Sequence, residues 1–132
     1  MSVVVGYIPT AEGTAALERA IEEAREQSTE LVVVNSSRSG GYPDRKHVDA
    51  GGAAALKEKL ESSGVEHTLL QKHGDVDAAE EVLNAAEEHK AELIVLGLRK
   101  RTPVGKLIMG STSQRILLEA PCPVLAVKAV YS

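Results

Sequence analysis

The sequence has no tryptophan and no phenylalanine, and aromatics make up only 2% of it. Aromatic platforms on which single-stranded nucleic acid stacks are therefore nearly unavailable, and the core must be packed with Val, Leu, Ile and Ala. A single cysteine, Cys122, permits no internal disulfide and fits a reducing cytoplasm. No apolar run approaches membrane-spanning length. Met1 leads straight into a strand-like segment, so no signal peptide is expected. His47, His67, His73 and His89 share no metal-ligand spacing, so no metal site is expected. Nor is there an excess of positive charge. With 15 basic and 19 acidic residues the formal charge is −4, which argues against generic binding to nucleic acid or a membrane surface.

What is present is a regular alternation of two patterns. "VVVGYI" (3–8) reads as a buried strand ended by Pro9. A helix follows from about Glu12 to Gln27, with Leu17, Ala20, Ile21 and Ala24 forming one stripe at i, i+3, i+4, i+7. "LVVVN" (31–35) is a second strand, apolar throughout, as expected when helices cover both faces of a parallel sheet. A polar Gly/Ser/Pro loop (36–47) leads to a helix from about Val48 to Ser62, closed by Gly64 as a left-handed cap. "VEHTLLQK" (65–72) alternates and suits a strand near a sheet edge. After a turn at Gly74 and Asp75, Asp77 and Glu80 have capping-box spacing for a helix to about Lys90, with Ala79, Val82, Leu83 and Ala86 as its apolar stripe. "ELIVLG" (92–97), a loop, a helix from about Thr112 to Glu119 and "VLAVKAV" (124–130) complete the chain. The order predicts one α/β domain over residues 1–132, with a parallel sheet and right-handed crossovers.

One segment stands against the overall charge. "GLRKRTPVGKLIMGSTS" (97–113) carries Arg99, Lys100, Arg101 and Lys106 between a glycine that ends a strand and a Gly-Ser-Thr-Ser run that opens a helix. Loops leaving the carboxyl ends of strands are where open α/β sheets bind ligands. Gly97 would let a ligand approach the backbone. The free N–H groups at Gly110, Ser111, Thr112 and Ser113 would favour an anion. The alternative is a solvated loop in which Ser111 or Thr112 merely caps a helix. The segment is not a P-loop, because its "GK" is followed by Leu107. The Rossmann GxGxxG is also absent, since the turn after the first strand reads "GYIPTAEG".

"GD" (74–75), "AELIVLGLRKRTPVGKLIMGSTSQRIL" (91–117) and "APCPVLAV" (120–127) resemble the universal stress protein family, and with "VVVGYIPTAEGTAALERAI" the resemblance spans essentially the whole chain. Gly97, Gly110 and Ser111 match the family's nucleotide motif, G-x2-G-x9-G-[ST], at the right spacing. The resemblance implies a single-domain, Rossmann-like, open five-stranded parallel sheet in the order 3-2-1-4-5. It also implies ATP or AMP binding and a homodimer formed through the C-terminal strand, 124–130; the alternative is that Lys128 is a protective edge charge that keeps the protein monomeric. The family's site carries over to Ile8, Val34, Ser36, Leu96, Gly97, Arg99, Lys100, Gly110, Ser111, Thr112 and Ser113. Two positions depart from the pattern. Lys100 stands at the motif's second glycine, where it either crowds or binds phosphate. Ile8 stands where the family carries an Asp near the adenine. It can pack on a base but not hydrogen-bond to it, which leaves base recognition to backbone groups around 34–36.

The function expected first is that of a cytoplasmic adenine-nucleotide sensor or regulatory module, with Mg2+ arriving bound to ATP. The second is a stress protein that uses no nucleotide and works through protein contacts with a regulatory partner. A slow ATP hydrolase ranks last, because no general base, nucleophile or metal-carboxylate set stands near the segment.

Overall fold

The structure is a computed structural model that describes residues 1–8, 10–36, 50–72, 77–101, 106–108 and 110–129. Its elements run β1 (Ser2–Gly6), α1 (Ala11–Gln27), β2 (Glu30–Ser36), α2 (Ala50–Ser62), β3 (His67–Lys72), α3 (Ala78–Glu88), β4 (Ala91–Arg101), β5 (Lys106–Ile108), α4 (Ser111–Glu119) and β6 (Val124–Lys128). Ser36, expected to open the loop at 36–47, instead ends β2; the rest of that loop, the helix start at Val48, the turn at Gly74 and Asp75 and the end of the last strand at Val130 lie outside the described residues.

Five strands pair in parallel in the order β3-β2-β1-β4-β6. With β6 as the fifth of the strands read from the sequence, this is the expected 3-2-1-4-5 sheet, and β3 lies at its edge. Strand alternation divides the core between two faces. Val3, Val5, Leu31, Val33 and Val95 pack against Leu17, Ala20, Ile21 and Ala24 of α1 and Leu56 and Leu60 of α2. Val4, Val32, Val34, Ile94 and Leu96 pack against Ala79, Val82, Ala85 and Ala86 of α3 and Ile116 of α4. The predicted stripe on α1 is fully buried, whereas on α3 Leu83 is only partly buried and Ala85 joins the stripe. Gly64 takes a left-handed conformation, φ 76°, two residues after α2.

The loop expected directly after Gly97 is not there. β4 continues through it to Arg101 and pairs antiparallel with β5, with Arg99 opposite Ile108, Lys100 opposite Leu107 and Arg101 opposite Lys106. A charged stretch containing Pro103 reads as a loop, yet a two-stranded antiparallel ribbon needs no buried face and tolerates charge on either side.

Candidate functional site

The ladder register sets the geometry at the carboxyl end of the sheet. Gly6 lies beside Val34, and Val5 beside Val95. Pairing then runs one residue past β1, where the Tyr7 N–H donates to the Val34 carbonyl at 2.9 Å. Ile8, Ser36 and Gly97 thus emerge from neighbouring strands at about the same height. The Ile8 carbonyl accepts the Thr10 N–H at 2.8 Å, which turns the chain into α1. Thr10 caps that helix, its hydroxyl accepting the Gly13 N–H at 3.1 Å.

Two glycines let the first turn of α1 settle onto these strand ends. A Cβ on Gly13 would overlap the Ile8 carbonyl, whose carbon would lie 2.9 Å away. A Cβ on Gly97 would overlap the Glu12 carbonyl, with that carbon at 2.6 Å. The space at Gly97 is therefore taken by the backbone of α1. On its Cβ side, the lack of a side chain serves helix–strand packing.

Gly110 is different. It is the N-cap of α4 with φ −73° and ψ 168°, a conformation open to any residue. No atom of the described residues lies within 4 Å of a Cβ built on it. Among the described residues no side chain caps α4, whereas Thr10 caps α1 and Asp77 caps α3. The Gln114 N–H reaches the Gly110 carbonyl at 3.0 Å and so is satisfied within the helix. The N–H groups of Ser111, Thr112 and Ser113 belong to the first turn, which has no intrahelical acceptors. Neither Ser111 nor Thr112 is the cap: Ser111 is already the first helical residue. The arrangement can hold an anion, since three donors and the positive end of the helix dipole converge beside an exposed glycine.

The remaining candidates divide by burial. The side chains of Val34 and Leu96 belong to the core, 2% and 6% exposed, so only their backbone could meet a ligand. Ile8 is half-buried at the strand end. Arg99 and Lys100 stand on the ribbon between Gly97 and α4. Among the described residues no cluster of three His, Cys, Asp or Glu side chains could hold a metal ion. Sequence reasoning passed over Asn35, a fully buried amide at the end of β2. Its only signal was a polar residue closing a run of valines.

The Universal stress protein family matches over residues 1–128. A universal stress protein of Mycolicibacterium smegmatis is 46% identical over 126 residues, which is 96% of each chain. Among solved structures, a universal stress protein from Archaeoglobus fulgidus superposes with a TM-score of 0.77 at 28% identity, covering 97% of this chain and 98% of that one. A second, solved in complex with dAMP, shares the fold at 24% identity and a TM-score of 0.67, covering 97% and 98%. The chain belongs to the universal stress protein family.

Proposed function

We propose that this protein binds an adenine nucleotide, ATP or AMP, and acts as a stress-responsive regulatory module. The phosphates rest on the N-terminus of α4, against the N–H groups and hydroxyls of Ser111, Thr112 and Ser113. The base packs on Ile8 and meets the backbone of 34–36, and Mg2+ enters bound to ATP. The observation that carries this reading is Gly110. Neither its backbone conformation nor any described neighbour requires a glycine, and among the described residues no side chain caps the helix it opens. A ligand that must approach the backbone closely accounts for both. The dAMP complex of the relative from Archaeoglobus fulgidus supports the choice of nucleotide.

Two copies pair through β6 in this reading. Among the described residues β6 is hydrogen-bonded only to β4, so its other edge carries unpaired backbone groups. Antiparallel pairing about a two-fold axis satisfies them in both copies at once. The dimer works in the cytoplasm, where a regulatory protein reads its nucleotide state.

Calorimetric titration with ATP, ADP and AMP, with and without Mg2+, tests the reading. Micromolar binding that disappears in Gly110→Val is the expected result. No detectable binding at high protein concentration would overturn it and leave protein contacts as the activity.

A further inference from the structure

The cations Arg99, Lys100, Arg101 and Lys106 stand on one ribbon but not on one face of it. Alternation along β4 has fixed landmarks. Ile94 and Leu96 pack on the side of the sheet that carries α3 and α4. Val95 packs on the side that carries α1 and α2. At Gly97 the Cβ direction runs into the backbone of α1, in step with Val95. The strand then runs on in unbroken register, 94–98 beside 124–128 of β6 and 99–101 opposite 108–106 of β5. Position 100 therefore falls on the α3/α4 face, and positions 99 and 101 fall on the α1 face. Residues directly opposite in an antiparallel pair share a face, so Lys106 goes with Arg101. Of the four cations, Lys100 alone is placed on the face that carries α4.

Lys100 also stands at the second glycine of the nucleotide motif. The first turn of α4 offers the N–H groups of Ser111, Thr112 and Ser113, which suit one phosphate. ATP carries two more, and their charge calls for a cation further out. Lys100 lies three residues past Gly97, about 10 Å along an extended strand. We propose that Lys100 is a specificity-determining residue: it holds the outer phosphates of ATP from the α4 side of the ribbon and makes the site prefer ATP to AMP. Arg101 and Lys106, on the other face, take no part. Lysine suits this task because its ammonium is a compact point charge that meets phosphate without a fixed geometry. The proposal deepens the nucleotide-binding reading and rests on it.

The test is calorimetric titration of the full chain with ATP and with AMP, for wild type and for Lys100→Gln, Lys100→Gly and Arg101→Gln. Lys100→Gln should weaken ATP about tenfold, the worth of a hydrogen bond to a charged group, and change AMP by less than about twofold, since a distant charge is screened. Arg101→Gln removes the same charge one residue away, on the other face, and should keep the wild-type ratio of ATP to AMP affinity. Lys100→Gly separates charge from crowding and should weaken ATP as Lys100→Gln does. Unchanged ATP affinity in Lys100→Gln, an equal loss in Arg101→Gln, or tighter ATP binding in Lys100→Gly would each overturn the proposal. AMP binding that persists through such a result leaves the nucleotide reading standing. If wild type binds neither nucleotide, that reading fails first and the proposal falls with it.

Discussion

The backbone carbonyl of Glu12, in the first turn of α1, fills the place where a side chain on Gly97 of β4 would begin. The contact joins residues far apart in sequence and locks a helix end onto a strand beside the candidate site. Gly97→Ala must push the two apart, and overpacking of this kind costs about 1–3 kcal/mol. The expected outcome is a lower denaturation midpoint with or without nucleotide. A Gly97→Ala protein as stable as wild type would show that α1 can shift freely.

Gly110→Val should behave in the opposite way. No described atom lies within 4 Å of the new Cβ, and φ is −73°. Valine is a poorer N-cap than glycine, so a small loss of about 1 kcal/mol or less is expected. Nucleotide binding should vanish, because the added methyls stand over the N–H groups of the first turn. Calorimetry and a melting curve on the same sample separate the two effects. Intact affinity would remove α4 from the site.

These two glycines show what the sequence could and could not disclose. Both belong to one motif, yet only the structure separates a packing glycine from an open one, because Glu12 lies far from Gly97 along the chain. The alternation of strands and helices was legible, since Val3, Val4 and Val5, buried on both sides, read as a parallel strand. The stripe on α1 was legible for the same reason. The β4–β5 ribbon was not. Gly97 reads as a strand terminator, and the Arg and Lys residues beyond it carry no alternating pattern. The burial of Asn35 was hidden because the partner of its amide, the Tyr7 carbonyl, lies on the neighbouring strand.

Ile116 should control how firmly α4 is held. It is 1% exposed, and it is the buried residue of the short α4, packed with Val34, Leu96 and the α3 stripe. Truncation removes most of the helix's anchorage and leaves a cavity. Ile116→Ala should destabilise by about 2–5 kcal/mol and Ile116→Val by about 0.5–1.5 kcal/mol. Denaturant titration measures both. Equal midpoints for the two variants would show that α4 is held by other contacts.

Cys122 should be a sluggish nucleophile. It is half-buried between Pro121 and Pro123 against the face of the sheet that carries α3 and α4, and burial raises its thiol pKa above the ordinary value. Thiolate is the reactive form, so alkylation of the native protein near neutral pH should be slower than that of the denatured chain. The linkage has a definite sign. The folded state holds the proton more tightly, so this contribution to stability is complete below the unfolded pKa and is lost as pH rises through the folded value. Equal alkylation rates in native and denatured protein would show that the thiol is not shielded.

Asp77 joins the two helices on that face by dividing its carboxylate between them. Oδ1 accepts the Ala79 N–H at 3.0 Å and caps α3, while Oδ2 accepts from Nη1 of Arg115 on α4 at 2.6 Å. Arg115 also bonds Glu119 through Nε at 3.1 Å, and that bond is the main reason its guanidinium pKa is raised. The two oxygens can be tested separately. Asp77→Asn keeps an acceptor for the cap, since Asn and Asp cap equally well, but gives up the ion pair. Because that pair is exposed, the loss should be small and should shrink further in high salt. Asp77→Ala removes the cap as well and should cost about 1 kcal/mol more than Asp77→Asn. Thermal melts of both variants at low and high salt check this. If the two variants melt together, the Ala79 bond contributes nothing to stability.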